Sequence, residues 1–292
     1  TMNVTLDTTD VVAMTAYSDG LTMSGTYTVG AGDSSSDLNV SSYTTGTIKD
    51  VYGTAMTSTA LPTNNNLKDN EALVIDTTAP TATISSVKYN GDTGVITFTG
   101  TNFNTMNVDN NGSVKEYLDY SKLTWDIDYG DTDSALSNVT FAKADIDTAV
   151  VTNSTTLTVT LTSTKKSSLE GSAGFGATGD ATNNADRVVV EAGFIRDHAL
   201  NAGNSDAKSD ATLTYSDTTA PTVASFTSTT TDGPYGVGGK INITATMSEK
   251  VIKDSTFVVT LDTGSNETVT LTAAADGTTL VGEYTVPANV TS

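Results

Sequence analysis

Cysteine is absent from this chain of 292 residues, and histidine and tryptophan occur once each. Without cysteine there is no disulfide framework, no zinc–thiolate site and no thiol nucleophile. Basic residues are also scarce, because 14 Lys and Arg stand against 34 Asp and Glu and give a formal net charge of -20. A chain this acidic, without a basic cluster, is not expected to bind nucleic acid or an anionic membrane surface.

Long apolar runs and catalytic signatures are missing as well. No run of about 18 apolar residues occurs, so the sequence predicts no membrane-spanning helix in this segment. The one histidine, His198, lies in a polar stretch, and no G-x-S-x-G elbow accompanies it. A G-x-G-x-x-G pattern at residues 174–179 is followed by a polar stretch, not by the helix that a phosphate-binding loop needs. We therefore expect that the protein is not an enzyme.

Threonine and serine are abundant instead, with 58 and 28 residues. Threonine is β-branched and favours strands over helices. Apolar residues alternate with threonine or other polar residues at 157–161, 241–247 and 269–273. This period-two pattern is typical of strands with one buried face and one face in water. The sequence therefore predicts an all-β protein.

Turn and helix signals lie between these segments. The Asn-Gly and Asp-Gly dipeptides at 90–91 and 276–277 favour tight hairpins. A single helical turn is predicted over residues 165–170, with Ser163 or Thr164 as its N-cap. Many short strands joined by tight turns are typical of β-sandwiches, so we expect one sandwich in each module of the chain.

Two identical segments divide the chain. Residues 76–81 and 217–222 both read DTTAPT, and each follows a strand-like stretch. Proline cannot donate a hydrogen bond to a strand ladder and stiffens a short connection, so both segments are interpreted as linkers between domains. The sequence therefore predicts three domains, at 1–75, 76–216 and 217–292. The middle one has a length that suits a single domain.

The first and third domains are related by a repeat. Residues 1–8 match residues 256–263 at six of eight positions, and the D-G…G-x-Y-T-V pattern of 19–29 recurs at 276–286. We therefore expect 1–75 to be the C-terminal part of one module and 217–292 to be the N-terminal part of a module of the same type. Units of a repeat array complete one another. We expect the parent protein to be longer.

Several motifs resemble the bacterial Ig-like repeats that build very large surface proteins, including adhesin stalks and S-layer-like coats. Besides the two linkers, they are KDVYGTAM at 49–56, YGVGGKI at 235–241, SEKV at 248–251, GVITFTGTNF at 94–103 and AGFIRD at 192–197. The resemblance implies tandem Ig-like β-sandwich modules joined by short stiff linkers, outside the cell on a bacterial surface. A loop that usually reads Asp-x-x-Gly-Asn in such repeats reads DVYGT at 50–54 and DHALN at 197–201 here.

Calcium is the ion that the composition favours. Ca²⁺ takes six to eight oxygen ligands from carboxylates, carbonyls and amides, which an acidic chain rich in Asn supplies. In related surface repeats calcium stiffens the module junctions, which implies ions near Asp76 and Asp217. Glu249, at the end of an alternating strand, and Asp50, in the last long loop before the first linker, are further candidate ligands. The alternative is that each linker aspartate caps a turn through its own backbone amides.

A second acidic group follows Trp125. Four aspartates lie within residues 126–133, and alternation places Asp126 and Asp128 on one strand face, as candidate ligands of a calcium clip. The spacing differs from that of an EF-hand loop. The alternative is a solvated hairpin tip.

The sequence thus predicts a structural cell-surface protein: an S-layer, surface filament or adhesin stalk stiffened by calcium. Its partners would be neighbouring modules of the same chain and, in a coat or filament, lateral copies of itself. The alternative function is a glycan- or surface-binding adhesin module, with the ligand site in the middle domain. Four aromatic residues there could stack on sugars or could fill the core: Tyr117, Tyr120, Trp125 and Tyr129.

Overall fold

The computed structural model describes residues 1–17, 20–106, 113–127, 138–176, 185–263 and 266–288, the side chains of 209–212 excepted. These residues form nineteen strands and two short α-helices. The prediction of an all-β protein is confirmed. No helix in the described part of the chain is both long and apolar enough to cross a membrane.

The first part of the chain forms a small antiparallel sheet and a two-stranded ribbon. The sheet contains β1 (Met2–Leu6), β2 (Val11–Ala16), β3 (Met23–Ser24) and β5 (Val40–Tyr43), in the order β3-β2-β1-β5. The ribbon pairs β4 (Ser34–Ser35) with β6 (Ile75–Asp76), and α1 (Leu67–Asn70) precedes β6. The core is small, because only Leu6, Val12 and Leu38 form its buried centre.

The middle part forms one eight-stranded sheet, in the order β10-β9-β13-β14-β7-β8-β12-β11. The strands are β7 (Thr83–Asn90), β8 (Val95–Thr101), β9 (Leu123–Asp126), β10 (Val139–Thr140), β11 (Ile146–Asn153), β12 (Thr156–Leu161), β13 (Arg187–Val190) and β14 (Lys208–Ser216). The remaining elements are α2 (Ser163–Glu170) and 3₁₀ turns at Phe103–Met106, Lys115–Tyr117, Tyr120–Lys122 and Lys143–Asp145.

Strand β14 joins the two halves of this sheet. Its first half pairs antiparallel with β13, and its second half pairs parallel with β7. Strands that pass from one sheet to another make the corners of sandwich-like folds. Residues from both halves, such as Phe98 and Leu157 on one side and Trp125 and Val188 on the other, belong to a single buried cluster. The sheet therefore curls around one core, with hydrogen bonding continuous across all eight strands.

The last part of the chain forms a five-stranded antiparallel sheet in the order β15-β16-β19-β18-β17. Its strands are β15 (Val223–Thr227), β16 (Lys240–Val251), β17 (Thr256–Thr260), β18 (Thr268–Thr272) and β19 (Gly277–Thr285). The buried centre is formed by Ala245, Val269, Leu271, Ala273, Leu280 and Tyr284. Among the described residues, no strand of one of the three parts pairs with a strand of another.

The local predictions agree with these elements. The alternating segments lie in strands β12, β16 and β18, except that Ala273 follows the last residue of β18, and Leu157, Val159 and Leu271 are buried. The predicted helical turn is confirmed as α2 but begins earlier, because Thr162 is the N-cap and accepts a hydrogen bond from the Lys165 amide at 3.2 Å. Neither Ser163 nor Thr164 has that role, since both lie inside the helix.

The first and third parts have the same strand register where their sequences repeat. The pairs Met2↔Met14 and Val4↔Val12 of β1 and β2 correspond to Phe257↔Leu271 and Val259↔Val269 of β17 and β18. A glycine holds the same place in both: a Cβ on Gly25 would approach the Ala13 carbonyl oxygen to 2.5 Å, and one on Gly282 would approach that of Thr270 to 2.5 Å.

Candidate functional site at the module junctions

A carboxylate of the middle module clamps the second linker. Asp92 lies in the turn between β7 and β8, and its oxygens accept hydrogen bonds from the Thr218 amide at 3.1 Å and the Thr219 amide at 3.0 Å. Both threonine hydroxyls also donate to Asp92. These hydrogen bonds, those of the two hydroxyls above all, hold the pKa of the Asp92 carboxyl well below its usual range. The four hydrogen bonds therefore favour the ionised form of Asp92.

The glycine beside Asp92 brings the linker close to this turn. The Gly91 amide donates to the Ser216 carbonyl oxygen at 2.8 Å. A Cβ at Gly91 would lie 3.0 Å from an oxygen of Asp217, so glycine leaves room for that carboxylate. The other oxygen of Asp217 accepts a hydrogen bond from the Thr219 amide at 2.9 Å, which is the turn-capping alternative.

Glu249 approaches the same linker from the third module. It lies near the end of β16, and one of its oxygens is buried without a hydrogen-bond partner. Burial raises the pKa of the Glu249 carboxyl above its ordinary value of 4.5. The negative charges of Asp217, Asp92 and Glu170 raise it further. Two predicted candidates, Asp217 and Glu249, thus lie close together. The carboxylates of Asp92 and Glu170, which the sequence did not indicate, lie near them.

Glu170 joins this group from the end of α2. One oxygen accepts a hydrogen bond from the Tyr89 hydroxyl at 2.8 Å, and the other receives the Lys166 ammonium at 2.8 Å, one helical turn earlier. This lysine therefore offsets the charge of Glu170.

Lys250, the residue after Glu249, extends into the middle module. Its ammonium group donates to the carbonyl oxygens of Ser172 at 3.4 Å and Phe175 at 3.2 Å. Its positive charge also acts on Asp186, a buried carboxylate of the middle module with 1% of its surface exposed. Of these two adjacent residues of β16, Lys250 contacts the preceding module directly, and Glu249 is influenced by the charges of Asp92 and Glu170 in that module.

Asp186 is the polar centre of an aromatic cluster. One oxygen accepts hydrogen bonds from Trp125 Nε1 at 2.8 Å, the Tyr215 hydroxyl at 2.7 Å and the Gly176 amide at 3.0 Å. The other oxygen is buried without a partner. Desolvation raises the pKa of the Asp186 carboxyl, although these donors and Lys250 oppose the rise. The cluster is completed by the rings of Tyr89 and Phe175, with centroids 5.2 Å and 5.3 Å from that of Trp125.

The first linker is held differently. Asp76 accepts a hydrogen bond from the Thr78 amide at 2.9 Å, so its side chain caps its own turn. The Asp76 carbonyl oxygen receives the Asn201 side-chain amide at 3.0 Å, and Asn201 also donates to Asp197 at 2.9 Å. A hydrogen bond from a side-chain amide to a backbone carbonyl therefore holds this linker to the middle module. The second linker is held by a carboxylate instead.

The loops at 50–54 and 197–201 share one conformation despite their different residues. In each, the first amide donates to the fifth carbonyl, and the fifth amide donates to the first carboxylate at 2.9 Å. The fourth residue has a positive φ, 88° for Gly53 and 67° for Leu200. Hydrogen bonds from the backbone amides of its own loop, Thr54 first, lower the pKa of Asp50, so this candidate ligand serves its own loop.

The other candidate residues are separate from the junctions. Asp126 lies in β9 opposite Arg187 of β13, and Asp128 lies outside the described residues, as does Tyr129. Trp125 and Tyr120 are buried, so for these two the core-filling interpretation is confirmed and their ring faces are closed to a sugar. Tyr117 packs against the same core, and its ring centroid lies 5.2 Å from that of His198, in an edge-on arrangement.

The acidic side chains of the second junction are near one another without forming a closed ligand set. Within the described ranges, no three acidic or histidine side chains converge as a bound metal ion requires. The charge of Asp217 and a side-chain hydrogen bond with it contribute to the raised pKa of Glu249, so these two carboxyl groups lie close together. No family model, curated protein or solved structure matches this chain.

Proposed function

We propose that this chain is part of an extracellular structural protein of a bacterial surface, built from tandem Ig-like sandwich modules and stiffened at its junctions by Ca²⁺. The observation that carries the proposal is the second junction. Asp92 holds the linker from one module, and Glu249 and Lys250 reach it and the preceding module from the other. A linker held from both sides suits a protein whose task is to set the distance and angle between modules.

Calcium suits this junction because of its unbalanced charge. Four carboxylates lie near this junction. The charges of Asp217, Asp92 and Glu170 raise the pKa of the fourth, Glu249. Lys166 is paired with Glu170, and Lys250 is bonded to carbonyl oxygens. A hard divalent cation is bound by carboxylate oxygens and would offset the remaining repulsion. We propose Asp217 and Glu249 as its ligands, with Asp92 contributing charge rather than a free oxygen.

The surface composition supports an extended assembly. Threonine-rich strand faces are well hydrated. A net charge of -20 opposes the collapse of one module onto another. These properties suit an S-layer, a surface filament or an adhesin stalk. A glycan site in the middle module has less support, since Trp125 and Tyr120 are buried.

Calcium is expected to narrow the distribution of distances between the second and third modules. The chain has no cysteine, so Thr148→Cys and Thr279→Cys, both at exposed positions, allow specific spin labelling. The distribution of distances between the two labels, measured by pulsed electron paramagnetic resonance, should be narrower in millimolar Ca²⁺ than in chelator. Glu249→Gln should give the same distribution in both conditions. Glu283→Gln, an exposed change on β19, is the control and should retain it. Equal distributions with and without Ca²⁺ in the parent protein would exclude calcium stiffening.

The stability of the junction is expected to depend on pH. The pKa of Glu249 is raised in the folded protein, so its stabilising contribution is present while the carboxyl is protonated. As pH rises from 4.5 through the raised pKa, a calcium-free protein should lose this contribution, and above that window no further loss is expected. Scanning calorimetry of the whole chain should show this loss of stability in the unfolding of the third module. Glu249→Gln should remove the dependence of that stability on pH within this window. A profile identical in both proteins would show that Glu249 is not the group responsible.

A further inference from the structure

The turn that faces the second linker begins with an Asn-Gly dipeptide. Asn90 is the last residue of β7, and Gly91 follows it. In such a dipeptide the glycine nitrogen can attack the side-chain carbonyl carbon of asparagine, because glycine has no Cβ to obstruct closure of the five-membered ring. Asparagine is one of the thermolabile residues of proteins. The sequence has one other Asn-Gly dipeptide, at 111–112, which lies outside the described residues.

The second linker explains why glycine follows Asn90. A Cβ at Gly91 would lie 3.0 Å from a carboxylate oxygen of Asp217, which is tighter than an ordinary contact. A larger residue would therefore displace this carboxylate from the turn. The close approach of the linker thus requires the same glycine that makes the dipeptide reactive.

Both reacting groups are engaged while the junction is closed. The Gly91 amide donates to the Ser216 carbonyl oxygen at 2.8 Å, so its nitrogen keeps its proton and is a poor nucleophile. Asn90 Oδ1 accepts a hydrogen bond from the Thr93 amide at 2.9 Å, which fixes the carboxamide on that amide. The backbone of Asn90 is also paired on both sides, with Val95 of β8 and with Ser216 of β14. The closed junction therefore protects the dipeptide.

This protection depends on the second linker. The pair Ser216↔Asn90 is the last one in the ladder of β7 and β14, and the end of a ladder opens more readily than its centre. Just beyond it, Asp92 accepts four hydrogen bonds from the two threonines of the linker. These bonds keep the end of β14 on the turn. When they break, the bond from Gly91 to Ser216 is the next to open.

We propose that Asn90 is a deamidation site that becomes reactive when the second linker leaves the middle module. The Gly91 nitrogen then gives its proton to solvent and attacks Cγ of Asn90, the C–N bond of the carboxamide breaks, and ammonia leaves. One water molecule opens the resulting succinimide and gives aspartate or isoaspartate at position 90. The net reaction consumes one water molecule and releases one molecule of ammonia, so it needs no oxidant, reductant or further reactant.

The product would hinder the return of the linker. Isoaspartate lengthens the main chain by one carbon atom in a turn where even a Cβ on Gly91 would crowd Asp217. Either product also adds a carboxylate close to Asp92 and Asp217, and the added charge repels theirs. A junction that has opened for long enough would therefore close less tightly afterwards, and the chemical change would persist.

The test follows deamidation of the full chain in mildly alkaline buffer. Tandem mass spectrometry of the tryptic peptide 89–115 distinguishes Asn90 from Asn111. The parent protein should deamidate at Asn90 much more slowly in native buffer than in guanidinium. Thr218→Val combined with Thr219→Val removes two of the four hydrogen bonds to Asp92 and should raise the native rate about tenfold.

The first linker provides a matched control, because it has the same sequence. Thr77→Val combined with Thr78→Val makes the same change of chemistry at the other end of the middle module and should leave the rate at Asn90 as it is in the parent. Trp125 fluorescence during guanidinium unfolding checks that the middle module of each variant is folded. If the variant of the second linker fails this check, Asp92→Ala replaces it, with the same acceleration expected.

Three results would overturn the proposal. The first is a parent protein in which Asn90 deamidates as fast in native buffer as in guanidinium. The second is a folded variant of the second linker whose native rate equals that of the parent. The third is equal acceleration by both pairs of threonine substitutions, which would indicate a general loss of stability. The inference rests on hydrogen bonds of the turn and the linker, so it stands or falls separately from calcium stiffening.

Discussion

Replacing Asp186 by alanine is expected to lower the free energy of unfolding of the middle module by about 3–5 kcal/mol. The substitution removes the acceptor of three buried donors, which are Trp125 Nε1, the Tyr215 hydroxyl and the Gly176 amide. Each donor left without a partner in a closed site costs about 1–3 kcal/mol, and the aromatic rings around the site limit the entry of water.

The single tryptophan makes this measurement specific. Trp125 is in the middle module and is itself a partner of Asp186, so its fluorescence during guanidinium unfolding reports on that module alone. Asp186→Asn is the matched control, because the amide oxygen can still accept the three hydrogen bonds and the buried charge is gone. The Asp186→Asn substitution should lower the free energy of unfolding of the middle module by about 1 kcal/mol. Equal losses for the alanine and asparagine variants would show that the charge, not the hydrogen bonding, is the stabilising property of Asp186.

Replacing Lys250 by methionine is expected to weaken the middle module, although the lysine belongs to the third. The ammonium group lies on the carbonyl oxygens of Ser172 and Phe175, in the loop that also supplies the Gly176 amide to Asp186. Without that cation the buried carboxylate of Asp186 loses a compensating positive charge. Double-mutant cycles of Lys250→Met with Asp186→Asn should therefore show a coupling free energy of about 1 kcal/mol.

Lys253→Met is the control for this second prediction. It makes the same change of charge three residues later, at an exposed position. It should leave the unfolding of the middle module, followed by Trp125 fluorescence, as it is in the parent protein. If both lysine variants weakened the module equally, the effect would come from net charge and not from the contact with the loop at 172–175.

Three of the strands could be predicted from the sequence because their signals are local. Alternation within five to seven residues locates β12, β16 and β18, and the two DTTAPT segments lie between separate sheets. Asp217, which the resemblance to surface repeats placed near a junction ion, and Glu249, at the end of an alternating strand, lie close to each other, and their sharing of an ion stays a prediction. The repeat between 1–8 and 256–263 then transfers register directly, because equal residues occupy equal ladder positions.

The rest depends on contacts between remote residues. Asp92 reaches Thr218 across 126 positions, and nothing near Asp92 indicates that its turn faces the second linker. Asp186 follows a polar stretch and resembles a solvated aspartate, yet it is buried because rings from four distant segments surround it. The five-residue loop at 197–201 shows the opposite case, since its conformation persists with Leu200 where Gly53 stands in the related loop.

The parallel pairing of β7 with β14 determines how the middle module would bear a pulling force. β7 begins just after the first linker, and β14 ends at Ser216, immediately before the second. The two strands are bonded side by side over Leu213↔Val87 to Ser216↔Asn90. Tension applied through the linkers would draw these parallel strands in opposite directions, so that the bonds between them are loaded in shear and must break together rather than one after another. A module so connected resists extension along the line in which an array of such modules would be stretched.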